Sequence, residues 1–371
     1  MRETKTLTLD LSVVGDLVRF VEVTDAPAQF RAFYEVRLER ITESLCQRAE
    51  QDACILEGLA LLPVQHRRRF LRAPHVAARL FDAEEDGRHL DAAQIAQALC
   101  AELASAGLCN ELSCPVWTAR GERLLSPDCP AGWTAPEVCL GESPVVVDDR
   151  SPYTFPYDED GFECLVLPDE TERVVTRDKL LTALAMLAAA SPPAYQFVTG
   201  LLDVIAVRRE PGKPRTFHSS SFSRYVGLML LTNAHLPNLD TAAIVDTLIH
   251  ESVHSLLFMY ERSERRFLRT PEASRIRMIS PWSRAQVSLA AYLHACVVWY
   301  ALYQFWRSAA QTNVFPTERC LALERRARGG FLRSPVSEGL APHRDLLTLE
   351  ALSLLEAVEA RMRSDVAQSC A

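Results

Sequence analysis

With 371 residues, 48% of them apolar and 24% charged, the chain can bury a sizeable core, which excludes a largely disordered tract. A formal charge of −8 spread over both signs provides no basic field for nucleic acid. The most apolar run, "LLTALAMLAAA" from Leu180, is too short to span a bilayer.

The amino terminus, "MRETKTLTLDLSVVGDL", carries acids and lacks an uninterrupted apolar core, so it does not read as a secretory signal and a cytoplasmic protein is expected. From residue 30 to 108 the apolar positions recur at three and four, which predicts helices. Two short basic runs, "HRRRF" from His66 and "ERSERRFLR" from Glu261, read as solvated helix surface, with docking of an acidic peptide as the functional alternative. Seven of the 21 prolines fall between Pro115 and Pro156, beside two glycine-containing turns, which marks a connection. The expected organisation is a helical N-terminal region (1–114), a proline-rich connection (115–156) and a metal-binding catalytic domain (157–371). Eleven cysteines without a CxxC spacing suit a reducing compartment. A second metal site from Cys109, Cys114, Cys129 and Cys139 is conceivable, although its irregular spacing matches no familiar zinc pattern.

Beyond the connection, "SPVVVDD" and "FECLVLP" read as short extended runs, followed by a helix from about Arg177 to Ala190 and another apolar run ending in "LLDVIAVRRE". "TFHSSSFSRYVGLMLLTNA" reads as a strand or hairpin feeding the core, and Ser219, Ser220, Ser221 and Arg224 would line an edge open to strand addition by a peptide. Asp240 or Thr241 supplies an N-cap for a long helix to about Tyr260. "ISPW" offers another helix start, with Ser280 as cap and Pro281 at the first helical position, for a helix ending near Trp306. Helices around Glu318 to Arg328 and Arg344 to Met362 close the chain. The fold class is therefore α+β, predominantly helical, with two ligand-bearing helices packed against a small antiparallel sheet.

The chemistry concentrates in "DTLIHESVHSLLFMYE". His250 and His254, four apart on one helix, project imidazoles from one face a turn apart and can chelate a single cation. Glu251, beside the first ligand, can reach a metal-bound water or the substrate. Leu248, Ile249, Val253, Leu256 and Leu257 would bury the site. "SLLFMYERSER" lacks the Gly and His of the extended zinc-peptidase pattern. The stretch from Arg284 to Trp306 contains no Asp or Glu but one histidine, so His294 is the preferred third ligand and Glu272 the fallback. Three imidazoles suit a hydrolase or an Fe(II) oxygenase alike. The oxygenase additionally needs a cation for the distal carboxylate of its keto acid, and "SRIRMISPWSR" supplies Arg275, Arg277 and Arg284.

A hydroxyl-rich segment ending "YVGLMLLTN", then "LIHESVHSLL", then "SPW" followed by arginine, then "YLHACVVWYALYQFW", resembles the HExxH-motif proteins of peptide natural-product clusters. These include the 2-oxoglutarate-dependent HExxH peptide β-hydroxylases. The resemblance covers roughly Thr216 to Trp306. It implies that His250, His254 and His294 hold Fe(II), with 2-oxoglutarate and dioxygen as co-substrates. The product would be a ribosomally made precursor peptide hydroxylated at a side-chain β-carbon, and Glu251 would orient a ligand or the substrate. The family pattern places arginine directly after "SPW"; here Ser283 intervenes, so Arg284 or Arg277 would anchor the keto acid. The alternative is a zinc metallopeptidase trimming a leader peptide, with Glu251 as general base. A binding module that keeps a structural metal is a third reading.

Overall fold

The structure is a computed structural model that describes residues 11–48, 53–86, 92–109, 112–135, 145–151, 165–263 and 266–369. In chain order the helices and strands are α1 (Ser12–Leu17), α2 (Ala26–Arg48), α3 (Ala53–Leu61), α4 (Val64–Arg72), α5 (Pro74–Asp86), α6 (Ala92–Ser105), β1 (Val116–Trp117), β2 (Arg123–Ser126), β3 (Cys129–Thr134) and β4 (Val146–Asp148). They continue with α7 (Glu170–Ala190), α8 (Pro192–Leu201), β5 (Val204–Arg208), β6 (His218–Ser221), β7 (Leu228–Thr232), α9 (Thr241–Arg262), β8 (Arg277–Ile279) and β9 (Gln286–Ser288). The remainder is α10 (Leu289–Ala309), α11 (Thr317–Arg333), α12 (Val336–Leu340) and α13 (Leu349–Ser369). The fold is α+β and predominantly helical. No helix among the described residues is long and apolar enough to cross a membrane.

The chain divides into two units by contact: Met1–Phe33 with Ala183–Val198 and Ala242–Ala371, and Tyr34–Thr182 with Thr199–Thr241. Each unit takes stretches from both sides of the proline-rich segment, so the partition follows packing and not sequence order.

The second unit holds a four-stranded sheet of order β4-β5-β7-β6, in which β4, β5 and β7 run parallel and β6 pairs antiparallel with β7. The strands "VIAVR" and "LMLLT" are buried at every position, as expected for parallel strands covered on both faces. Ala78 of α5 packs with Val204, Ala206, Leu228 and Leu230 on one of those faces. The polar strand "HSSS" occupies the edge, where a strand is best kept hydrophilic. The expected hairpin from Thr216 to Ala234 is present, with the chain entering β7 through Gly227 at φ +85°. The proline-rich segment is more than a connection. It carries an antiparallel β1-β2-β3 meander, in which Gly121 supplies left-handed backbone to the turn between β1 and β2 and Gly132 does so within β3. Only Leu165 to Pro168 of the expected strand "FECLVLP" lies among the described residues, and there Val166 forms an isolated bridge to Arg209.

The basic run on α4 turns partly inward. Arg69 pairs with Glu102 at 3.5 Å and Glu122 at 3.0 Å, and nearby Arg72 joins Glu35 (2.7 Å) to Asp203 (3.1 Å). Within the run, solvated helix surface therefore describes Arg68, which stays exposed, but not Arg69.

In the first unit α10 is the central element, packed against α11, α13 and the β8–β9 ladder. Its almost continuous apolar sequence buries residues on all sides, including Tyr300, Ala301, Leu302 and Tyr303. The helix begins at Leu289, not at Pro281. Residues 280 to 285 instead close the turn of the β8–β9 hairpin, with the Ser280 N–H donating to the Ala285 carbonyl (2.9 Å) and Arg284 in left-handed backbone at φ +60°. Ser280 keeps a local role, since its hydroxyl accepts the Ser283 N–H at 3.3 Å. The N-cap of α10 is Ser288, whose hydroxyl accepts the Ala291 N–H at 3.1 Å. The expected last helix from Arg344 is also divided, into a 3-10 turn over Ala341–Leu346 and α13.

Candidate metal centre

The helix expected from Asp240 or Thr241 to about Tyr260 is α9, and one of its faces carries polar groups at steps of three and four: Asp246, His250, His254 and Glu261, with Phe258 between the last two. Three contacts fix how α10 lies across that face. His254 meets His294, His250 meets Trp299, and Asp246 meets Trp306. The partners advance along α10 as they retreat along α9, so the helices pair antiparallel.

Among the described residues, His250, Glu251 and His254 form the one group of three candidate metal donors, with a ligand atom of each within 4.8 Å of the others. Glu251 is buried, and the two imidazoles are half-buried. His294 of α10 lies outside that group and meets one of its members: its Nδ1 is 3.3 Å from His254 Nδ1. Two nitrogens each about 2.1 Å from a shared cation lie roughly 3.0–3.4 Å apart, so this spacing suits a common ligand as well as a hydrogen bond. His294 is wrapped by Phe258 (ring centroids 5.0 Å) and Phe267 (5.5 Å), which leaves its buried ring little freedom.

The far nitrogen of His294 faces a residue that sequence reasoning passed over. Glu261 Oε2 lies 3.2 Å from His294 Nε2. A carboxylate accepting the second ring N–H of a histidine fixes its tautomer and raises its basicity as a ligand. The signal was available, because Glu261 follows His254 by seven residues and so shares its helix face two turns on.

Electrostatics favour neutral imidazoles. Burial, with a smaller push from the Arg326 charge, lowers the His250 pKa to about 4. Burial and then His250 lower that of His254 to about 3, opposed by Glu251. Both rings therefore offer lone pairs at neutral pH, the form in which imidazole ligates a metal.

The "SPW" segment has a structural role in this chain. The Trp282 indole N–H donates to the Ala327 carbonyl at 2.8 Å, and Arg333 donates twice to the Pro281 carbonyl (3.0 and 2.7 Å), clamping the hairpin onto α11. Trp282 then stacks on Trp299 at 5.8 Å and 7°, and Trp299 meets His250 edge-on at 6.1 Å. Arg326 of α11 lies over Trp299, with its guanidinium carbon 4.8 Å from the ring centroid. Arg275, Arg277 and Arg284 are exposed, Arg277 on β8 and Arg284 in the hairpin turn. Glu272 is exposed in a 3-10 turn over Pro271–Arg275. Of the four cysteines considered for a second metal site, Cys139 and the Cys129 side chain lie outside the described residues; Cys114 is exposed and Cys109 half-buried.

No protein-family model matches this chain, and no curated protein matches it.

Proposed function

We propose that this chain is an Fe(II)- and 2-oxoglutarate-dependent oxygenase that hydroxylates a side-chain β-carbon in a ribosomally made precursor peptide. The supporting observation is the meeting of His254 and His294 nitrogens at 3.3 Å, with the opposite nitrogen of His294 engaged by Glu261. The donor set fits the metal: three imidazoles, two from α9 held neutral by burial and one from α10 backed by a carboxylate. His250, His254 and His294 would hold Fe(II), which when bound supplies the oxygen-activating chemistry that burial of these side chains alone cannot.

The balanced reaction converts the substrate C–H, 2-oxoglutarate and dioxygen into C–OH, succinate and carbon dioxide. Glu261 accepts the Nε2 proton of His294 in a hydrogen bond and so leaves the Nδ1 lone pair directed toward His254. Phe258 and Phe267 exclude water from the back of that ring. Glu251, buried beside both α9 imidazoles, orients substrate or a ligand. The resemblance of residues 216 to 306 to the HExxH hydroxylases supports the peptide and keto-acid assignments.

The test supplies the purified chain with Fe(II), 2-oxoglutarate and the short peptide encoded beside its gene. Succinate release with a gain of one oxygen on the peptide is expected. Unchanged peptide and no 2-oxoglutarate turnover overturn the proposal.

One observation favours a second reading. The Glu251 carboxylate lies within 4.8 Å of donor atoms of both His250 and His254, where it can take a proton from an attacking water. A zinc peptidase would use it so, and zinc retained through anaerobic purification together with cleaved peptide would establish that chemistry.

A further inference from the structure

The oxygenase reading requires a cation to receive the carboxylate at the far end of the keto acid, and α11 offers one. Arg326 is stacked on Trp299, the ring that meets His250 edge-on. Its guanidinium lies 3.7 Å from Asp246 Oδ2, close enough for attraction but too long for a hydrogen bond. The other oxygen of Asp246 is already taken by the Trp306 indole N–H at 2.7 Å. Asp246 therefore holds the guanidinium by charge without filling its donor fork, and the Arg326 side chain stays 59% exposed.

The platform beneath it is rigid. Trp282 stacks nearly parallel to Trp299 and is pinned by its bond to Ala327 and by Phe331 at 5.0 Å. It presses so closely on Gly330 that a Cβ there would lie 2.2 Å from the indole. An arginine stacked on such a surface loses little further freedom when it grips a planar carboxylate.

We infer that Arg326, oriented by Trp299, receives the distal carboxylate of a five-carbon 2-oxo diacid whose keto-acid end binds beside His250. This rests on the oxygenase reading and adds to it the residue that selects the co-substrate. A guanidinium fork matches a carboxylate bidentately, and a 2-oxo acid lacking the second carboxylate leaves it unmatched. The sequence departure at Ser283 is then accommodated. "SPW" contributes by seating the indole on α11, and the cation comes from α11 itself.

The experiment titrates 2-oxoglutarate, and separately 2-oxobutyrate, into the full chain loaded anaerobically with Fe(II), by calorimetry. Wild type should prefer 2-oxoglutarate by roughly 10- to 100-fold, the worth of a charged hydrogen-bonded pair. Arg326→Gln should abolish that preference while leaving 2-oxobutyrate binding, metal content and thermal melting unchanged; Arg326→Lys should retain a part of it. Arg277→Ala and Arg284→Ala should keep it. A preference that survives Arg326→Gln but disappears in Arg277→Ala or Arg284→Ala overturns the assignment and leaves the oxygenase reading standing. Failure of wild type to bind either keto acid overturns both.

Discussion

Glu261 Oε2 sits 3.2 Å from His294 Nε2, so the carboxylate near the end of α9 engages the imidazole carried by α10. Glu261→Gln should retain a hydrogen bond at lower strength, and Glu261→Ala should lose it. Metal affinity measured by chelator competition should fall in that order, reaching roughly 10- to 100-fold for the alanine variant. Equal affinity in all three proteins would mean that Glu261 does not act on a ligand.

His294→Ala tests the third ligand directly. The variant should still fold, because the surrounding Phe258 and Phe267 can close partly over the space, but it should lose stoichiometric metal on dialysis. Undiminished metal content would move the third ligand to another residue, with Glu261 the first to examine.

Two buried titratable groups of the second unit contribute opposite slopes to its stability over overlapping windows below about pH 7. Burial, then Arg79, pushes the His75 pKa down to about 3, so the unfolded chain takes up this proton from about pH 6.5 downward while the folded one does not. Stability from this residue is complete above 6.5 and lost as pH falls toward 3. Burial, then Glu122, pushes the Glu102 pKa up to about 7, so its contribution is complete below about 4.5 and lost as pH rises through 7. Urea midpoints of Glu102→Gln should exceed wild type at pH 8 and converge with it at pH 5. A constant difference between the two proteins across that range would refute the assignment.

Gly330→Ala should displace Trp282, since the new methyl would lie 2.2 Å from its ring. Such overpacking typically costs about 1–3 kcal/mol. Near-UV circular dichroism from the Trp282–Trp299 stack should weaken along with the melting temperature, whereas Gly212→Ala, with open space around it, should leave the spectrum unchanged.

The parts of this molecule legible in the sequence are those set by local periodicity. The 22-residue α9 and the shared face of His250 and His254 follow from apolar spacing and a capping sequence, and the β6–β7 hairpin from a polar run followed by an apolar one. What escaped depends on contacts remote in sequence. Nothing local in the sequence singles out Arg326, which gains its place only when α11 is laid against Trp299. Ser280-Pro281 reads as a helix start because that dipeptide suits both a first turn and a hairpin turn. The choice is made by the pairing of Arg277–Ile279 with Gln286–Ser288. Arg69 reads as surface because nothing near it on α4 announces Glu102 and Glu122.

The bond between the Trp306 indole and Asp246 lies twelve residues along α10 from His294, about 18 Å at 1.5 Å per residue. It works as a register pin. If either helix slid by one residue, the indole would leave its carboxylate in the same movement that separated the His254 and His294 rings. Alterations at Trp306 should therefore loosen the grip on a cation from afar, and a screen confined to residues near the imidazoles would overlook the position that keeps them aligned.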